Sequence, residues 1–286
     1  MRRLVLVAAT AALFLALSTS AAFANHSWNG YHWATRGTAF TLKLGNDLST
    51  AEWKSDLGTV SSKWSASSDP KKRSVLSTTI ATGNDLGKQK RCPPTSGRVE
   101  VCNASYGSRG WLGVATIWVT SDGHIVQGTV KVNDTYLGPT STYQYNNSKE
   151  RLHVICQEVG HTFGLDHQDT SGATFGTCMD YYHNKSSTDS LSTLPDQGDY
   201  DQLACIYNKA YNGSTLSFAG QTSPYQAPHS CKGTGHDDGF TTIGATGFSP
   251  AAAKLPAWAN PSQDVYIIHL PNGLTQVSYV IWTRHP

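Results

Sequence analysis

The chain has 286 residues, of which 38% are hydrophobic and 15% are charged, and it contains 26 glycines and 12 prolines. This composition is typical of a folded, loop-rich protein and excludes a disordered one. Its 22 basic residues include Arg2 and Arg3, so the rest of the chain carries 20 basic and 20 acidic residues. That balance argues against nucleic acid or an anionic membrane as the main partner, because both require a basic surface.

The first 24 residues predict a secretory signal peptide. Two arginines precede an apolar run from Leu4 to Leu17, and Ala22-Phe23-Ala24 fits a cleavage site of small residues. The apolar run is shorter than the ~20 residues that span a bilayer, which disfavours a membrane anchor. We therefore expect a secreted, extracellular protein that begins at Asn25 and is a monomer.

The first half of the exported chain is predicted to form a sheet with one helix packed on it. Phe40 to Leu44 alternates as a strand does, and Ser49 with Glu52 forms a capping box at the start of the helix. Further strands are predicted over residues 74–81, 111–119 and 124–132, the last two joined by a turn at 121–123. The apolar positions of the helix recur at helical spacing: Trp53, Leu57, Val60 and Trp64.

The second half is predicted to contain two helices and a β-hairpin. One helix runs from Ser148, its expected N-cap, to a stop at Gly164, and another spans residues 196–208 with Tyr200, Leu203 and Tyr207 on one face. Gly, Ser, Pro and Thr dominate from there to about residue 250, and residues 265–282 form a hairpin around an Asn-Gly turn. We expect one domain over residues 25–208 and a β-rich extension over 209–286, either an appended module or a continuation of that domain.

An even number of cysteines in an exported chain predicts disulfide bonds. Cys92 and Cys102 are the pair that suggests itself, because the prolines and glycine between them would close a short loop. The pairing of the other four is left open. The six are Cys92, Cys102, Cys156, Cys178, Cys205 and Cys231.

One segment carries residues with the chemistry of a metal-dependent enzyme. Glu158 and His161 lie three positions apart on the predicted helix, Gly164 follows after three more, and His167 after another three. A glycine at that point can adopt a left-handed backbone angle, so the helix ends and the chain turns back. His167 is then expected to face the same point in space as His161.

A second signal follows at residues 176–181, Gly-Thr-Cys-Met-Asp-Tyr. Met179 is the one methionine after the signal peptide. A single methionine is usually a gap-filler in a core, but here it comes shortly after the second histidine of the motif.

Together these residues resemble the metzincin zinc metallopeptidases, matrixins and astacins in particular, whose pattern is H-E-x-x-H-x-x-G-x-x-H followed by a turn with methionine. The resemblance covers roughly residues 40–208. It implies an α+β catalytic domain with a twisted mixed sheet, an active-site helix, a Met turn at Met179 and a C-terminal helix. The implied activity is endopeptidase action on a protein or peptide substrate.

The resemblance also implies roles for individual residues. His161 and His167 would be ligands of one catalytic zinc ion, Glu158 the general base, and Tyr181 a transition-state stabiliser or fifth ligand. Three protein ligands leave an open position on zinc, where bound water is acidified to a pKa near 7 and a nearby carboxylate accepts its proton. Nothing in the sequence indicates a structural calcium ion.

The departure from the family pattern is Gln157, which stands where the family has its first histidine. An amide oxygen is a poorer zinc ligand than an imidazole. Gln157 either binds zinc weakly, or the site uses two histidines, Tyr181 and water, or the metal is lost and the domain is a binding module. His153 is a less favoured substitute ligand, since it lies two helical turns before His161 and is expected to be structural or at the surface.

Two competing hypotheses follow from other features. A non-catalytic extracellular binding protein on a metzincin scaffold is motivated by Gln157, and a carbohydrate-binding or cell-wall-binding protein by the eight tryptophans and 13 tyrosines. The remaining histidines, His183 among them, show no ligand spacing. No long propeptide or cysteine switch is recognisable before the first strand, so a protease of this sequence is either secreted active or kept latent by another feature.

Overall fold

The computed structural model describes residues 27, 29–34, 40–65, 75–84, 87, 89–207 and 263–283. These residues form an α+β fold around a twisted mixed sheet of eight strands, which confirms the predicted fold class. The predicted signal peptide and residues 208–262 lie outside the described ranges. Within those ranges, no helix is both long enough and apolar enough to cross a bilayer.

The described residues form four helices and eight strands. The helices are α1 (Ala51–Trp64), α2 (Asp134–Leu137), α3 (Ser148–His161) and α4 (Gln197–Tyr207). The strands are β1 (His32–Trp33), β2 (Phe40–Asp47), β3 (Leu76–Thr82), β4 (Arg98–Ala104), β5 (Trp111–Val119), β6 (His124–Asn133), β7 (Val265–His269) and β8 (Thr275–Trp282).

The order of strands across the sheet is β3-β2-β4-β6-β5-β8-β7, with β1 beside the start of β6. The pairs β2/β3, β2/β4 and β4/β6 are parallel, whereas β5/β6, β5/β8 and β7/β8 are antiparallel. Helices α1 and α3 contact each other and pack on the sheet, α1 against β3 and α3 against β5, β6 and β8. The helix α3 therefore lies across the antiparallel part of the sheet.

The C-terminal hairpin is part of this same sheet. Strand β8 pairs with β5 over the whole length of β5, from Trp111 opposite Trp282 to Val119 opposite Thr275. Its inward residues Val277, Tyr279 and Ile281 belong to the main hydrophobic core. The hairpin thus extends the sheet, because the edge of β5 offers backbone groups that β8 satisfies.

Helix α1 buries the predicted apolar stripe, and all four of its residues are fully buried. The cap is one residue later than expected, since Thr50 is the N-cap and its hydroxyl accepts from the backbone N–H of Trp53. Ser49 instead donates its backbone N–H to the side chain of Asn103. The prediction of Ser49 as the N-cap is therefore wrong, and the N-cap is Thr50.

Strand β4 was not predicted, because it lies within and beyond the segment interpreted as a cysteine-bounded loop. Its five central residues are all buried, so it lacks the alternation that marks a half-exposed strand. Two of them are polar, and Glu100 lies 2.6 Å from the guanidinium of Arg98. A strand that is buried on both faces and contains polar residues lacks the alternating pattern by which strands are recognised in a sequence.

Two disulfide bonds are present among the described residues. Cys92 pairs with Cys102, which confirms the predicted bond, and Cys156 pairs with Cys178. The second bond joins the middle of α3 to the turn that contains Met179. Cys231 lies outside the described residues.

Candidate metal centre and catalytic groups

The candidate site is built on α3, which begins one residue earlier than expected. Asn147 is the N-cap, and its side-chain oxygen accepts from the backbone N–H groups of Lys149 and Glu150, each at 3.0 Å. Ser148 is therefore the first helical residue and the expected cap at that position is wrong. An asparagine amide satisfies two of the N–H groups that a helix leaves unpaired at its start.

The turn after α3 depends on Gly164, as the sequence predicts. Its φ angle is +99°, and a Cβ at this position would lie 1.9 Å from the carbonyl oxygen of Tyr31. Its backbone N–H donates to the carbonyl of His161 at 3.0 Å, which closes the end of the helix. Only glycine combines this backbone angle with this close approach.

The turn brings the two histidines of the motif together. The Nε2 atoms of His161 and His167 are 2.9 Å apart. The opposite nitrogen of His161 lies 2.9 Å from the carbonyl oxygen of Leu165, and that of His167 lies 3.2 Å from a carboxylate oxygen of Asp264. Histidines that bind metals typically have their second ring nitrogen held by a carbonyl or carboxylate in this way.

Gln157 lies one turn before His161, and its amide is oriented by one contact. Its Nε2 donates to the carbonyl oxygen of Asp180 at 2.7 Å. Its Oε1 is buried and makes no hydrogen bond to any described residue. A buried carbonyl oxygen without a donor is costly, so a cation is a suitable partner for the Oε1 of Gln157. Two imidazoles and an amide oxygen are donor types that a metal ion accepts.

Glu158 is fully buried and lies against β5. A Cβ on Gly113 would come within 2.5 Å of its Oε1, so the missing side chain of Gly113 makes room for the carboxylate. Neither oxygen makes a hydrogen bond of ordinary geometry within the described structure. Burial raises the pKa of Glu158 well above its usual value, and the backbone amides of Ala115 and Ile281 offset only part of this rise.

The segment from Met179 to Tyr181 packs beneath and beside the two histidines. A Cβ on Gly160 would lie 2.5 Å from the sulfur of Met179, so this methionine packs directly against α3. The ring of Tyr181 lies 4.2 Å from that of His167, centroid to centroid. Its hydroxyl is 2.9 Å from the carboxylate of Asp264 and 3.1 Å from the carbonyl oxygen of Val280.

A second cluster lies at the other end of α3. Glu150, His153 and His183 are buried and their ligand atoms lie within 4.8 Å of one another, so the group could hold a metal ion. One carboxylate oxygen of Glu150 is 2.6 Å from Nδ1 of His183, and the other is 3.6 Å from Nδ1 of His153. Burial opposes ionisation of Glu150, but its contacts with the two histidines lower its pKa to about 2.

Sequence reasoning missed this cluster. His183 was set aside for lack of ligand spacing, and His153 was expected to be structural or at the surface, whereas it is fully buried. Its Nε2 lies 3.1 Å from the same carbonyl oxygen of Asp180 that Gln157 contacts. The available signal was the Glu150-x-x-His153 spacing, which repeats that of Glu158-x-x-His161.

Two residues of the C-terminal hairpin region also belong to the site without a sequence signal. Asp264 contacts His167 and Tyr181, and Tyr279 stacks on His161 with ring centroids 4.4 Å apart and planes only 8° from parallel. Asp264 comes 83 positions after Tyr181. No local motif connects residues at that separation.

No protein-family model matches this chain, and no curated protein or solved structure matches it significantly. The resemblance to metzincins therefore rests on the chain's own motif residues.

Proposed function

We propose that this protein is a secreted zinc-dependent endopeptidase on a metzincin-like scaffold. The observation that carries the proposal is the convergence of His161 and His167, whose Nε2 atoms are 2.9 Å apart while their other ring nitrogens contact protein oxygens. Glu158 lies on the same helix as His161, and its two carboxylate oxygens, like the Oε1 of Gln157, are buried without a hydrogen-bond partner among the described residues. Two disulfide bonds support export, since such bonds persist in oxidising compartments.

The donor set determines which residues would hold the ion. His161, His167 and the Oε1 of Gln157 would bind it, and zinc bound in this way acidifies water and polarises a substrate carbonyl. Glu158 would accept the proton of the attacking water and pass it to the leaving amine. A nearby positive charge would lower the raised pKa of Glu158 and restore its capacity as a base.

Tyr181 would donate a hydrogen bond to the carbonyl oxygen of the substrate as negative charge develops there. Burial, and then the charge of Asp264, raise the pKa of the Tyr181 hydroxyl well above its usual value. The hydroxyl therefore stays protonated and able to donate at neutral pH.

A binding protein without catalytic activity is the second candidate. Two observations favour it: Gln157 replaces an imidazole ligand, and Glu158 and His161 are both fully buried in the described structure. In this case the buried residues of the site would have only a structural role, and the exposed surface would bind the partner.

The first experiment measures zinc per chain by elemental analysis of the purified mature protein, residues 25–286. We expect about one zinc ion in the wild type and in Gln157→His, and its loss in His161→Ala. His153→Ala is the matched control, because it removes an equally buried histidine of α3 from the second cluster. Zinc that is lost in His153→Ala but retained in His161→Ala would place the metal at Glu150, His153 and His183 instead.

The second experiment measures casein hydrolysis by the zinc-loaded protein. In the wild type, and in the Tyr279→Ala background described below, Glu158→Ala should lower hydrolysis at least about 100-fold while zinc content is unchanged, because this residue moves protons and does not bind the metal. If the wild type and the Tyr279→Ala variant described below both bound zinc but did not hydrolyse casein, the result would favour the binding protein.

A further inference from the structure

Three consecutive residues of β8 lie beside three different groups of the proposed catalytic set. The ring of Tyr279 stacks on His161, and the carbonyl oxygen of Val280 lies 3.1 Å from the hydroxyl of Tyr181. Ile281 pairs with Gly113, the residue whose missing side chain makes room for the carboxylate of Glu158. An extended segment of this chain thus lies beside His161, Tyr181 and Glu158.

The backbone of β8 holds these three residues in place. It is paired in antiparallel register with β5, the strand against which Glu158 packs, and Ala115 lies directly opposite Tyr279. Facing hydroxyls of Thr116 and Ser278 are 2.9 Å apart. Addition of an extended segment to a strand edge by main-chain hydrogen bonds is also how many proteins bind peptides.

Asp264 adds a second contact from the hairpin region. Its carboxylate lies 3.2 Å from His167 and 2.9 Å from the hydroxyl of Tyr181. His161 is fully buried and His167 is 8% exposed. A peptide could not reach either imidazole, or the carboxylate of Glu158, in this arrangement.

We propose that the C-terminal hairpin, β7 and β8, is an intramolecular inhibitor that keeps the active site closed, with residues 279–281 in the place of a peptide substrate. This inference rests on the proposed peptidase function. It supplies a source of latency that lies after the catalytic residues in the chain. Displacement of β8 from β5 is then the step that opens the site to substrate.

The test compares full-length mature protein with Tyr279→Ala, which removes the ring over His161 but leaves the backbone of β8 in place. Tyr266→Ala is the matched control, because Tyr266 is an equally buried tyrosine of the hairpin that packs in a separate cluster with Trp111 and Val280. Two quantities are measured: hydrolysis of a quenched fluorescent peptide by the zinc-loaded proteins, and modification of His161 by diethylpyrocarbonate in the zinc-free proteins, located by mass spectrometry.

We expect Tyr279→Ala to raise both quantities at least about tenfold over the wild type, and Tyr266→Ala to change neither. Faster modification of His161 without hydrolysis by any variant would support closure by the hairpin and contradict the peptidase function. Rapid hydrolysis by the wild type that Tyr279→Ala does not increase would leave the peptidase intact and overturn the inhibitory role. Unchanged modification of His161 would also overturn it.

An engineered disulfide bond between β5 and β8 provides a second test, which does not require Tyr279→Ala to fold. The double variant Thr116→Cys and Ser278→Cys joins two facing residues of β5 and β8. We expect this link to lower peptide hydrolysis below the wild-type rate, and a mild reductant to restore it, with the wild type in the same reductant as control. Hydrolysis by the linked protein at the wild-type rate would contradict the proposal.

Discussion

Gly164 is the residue on which the approach of the two imidazoles depends most directly. Its backbone angle ends α3, and its missing side chain lets the chain pass the carbonyl oxygen of Tyr31. The motif predicts the role of this glycine because the constraint is local. The contact with Tyr31 adds a second constraint, which the motif does not show.

Gly164→Ala should lower the free energy of unfolding by about 2 kcal/mol or more, since it combines left-handed strain with a backbone clash. It should also reduce zinc content, because His167 would shift. Gly176→Ala is the control: its φ is +83°, but the nearest atom to an added Cβ is 4.0 Å away. Urea unfolding and elemental analysis measure both effects, and equal losses in the two variants would contradict the steric argument.

Asp56 gives a pH-dependent prediction away from the site. Burial raises the pKa of Asp56 to about 6, although the guanidinium of Arg151 lies 3.6 Å away. The folded protein thus binds this proton more tightly than the unfolded chain. The stabilising contribution is complete below the unfolded pKa of about 4 and is lost as pH rises through about 6.

Asp56→Asn should therefore lose less stability than the wild type between pH 4 and pH 6.5, with a difference of about 1–3 kcal/mol across that window. Urea unfolding at several pH values measures it. Ser55→Ala on the same helix, which alters an exposed side chain without a charge, should follow the wild-type curve. If the free energy of unfolding changed with pH by the same amount in Asp56→Asn and in the wild type, the Asp56 proton would make no contribution to stability.

At the scale of elements, α3 organises the site because it contributes residues to both candidate metal clusters and is linked to the Met179 turn. The link consists of the Cys156–Cys178 disulfide, the packing of Met179 on Gly160, and the hydrogen bond from Gln157 to Asp180. The helix could be predicted from its periodicity and its glycine stop. Its partner could not, since six cysteines allow many pairings.

Replacing Cys156 and Cys178 by alanine should lower the free energy of unfolding by roughly 2–4 kcal/mol and weaken zinc retention, because the Met179 turn is no longer fixed to α3. The double alanine variant of Cys92 and Cys102 is the control, because it removes a disulfide bond that closes a different loop. It should lose stability but keep its zinc affinity. Titration with a competing chelator measures zinc affinity. Equal zinc affinity in both variants would contradict the proposed role of the Cys156–Cys178 disulfide in the site.

At the scale of the whole molecule, the C-terminal hairpin completes the sheet and shares its core. Ile281 is fully buried in the main cluster, whereas Ile267 of β7 is 42% exposed. The hairpin is therefore expected to unfold together with the rest of the sheet. Opening of the site must be a local displacement of β8 and not the release of an independent module.

Ile281→Ala should lower the free energy of unfolding by about 2–4 kcal/mol, and Ile267→Ala by less than about 1 kcal/mol. Tryptophan fluorescence and far-ultraviolet circular dichroism should report one coincident transition in both variants. Separate transitions would show that the hairpin folds as its own unit.

The amino-acid sequence by itself determined the features that depend on neighbouring residues: the apolar stripe of α1, the hairpin turn, the Cys92–Cys102 loop, and the approach of His167 to His161 through Gly164. The tertiary structure decided the position of β8 on β5, the burial of β4, the Glu150, His153 and His183 cluster, and the contacts of Asp264 and Tyr279 with the two imidazoles. Periodicity, caps and turns act over a few residues, whereas strand partners are selected by the packing of the whole core. The residues that complete or close the candidate site come from strands and loops far away in sequence, so no local pattern specified them.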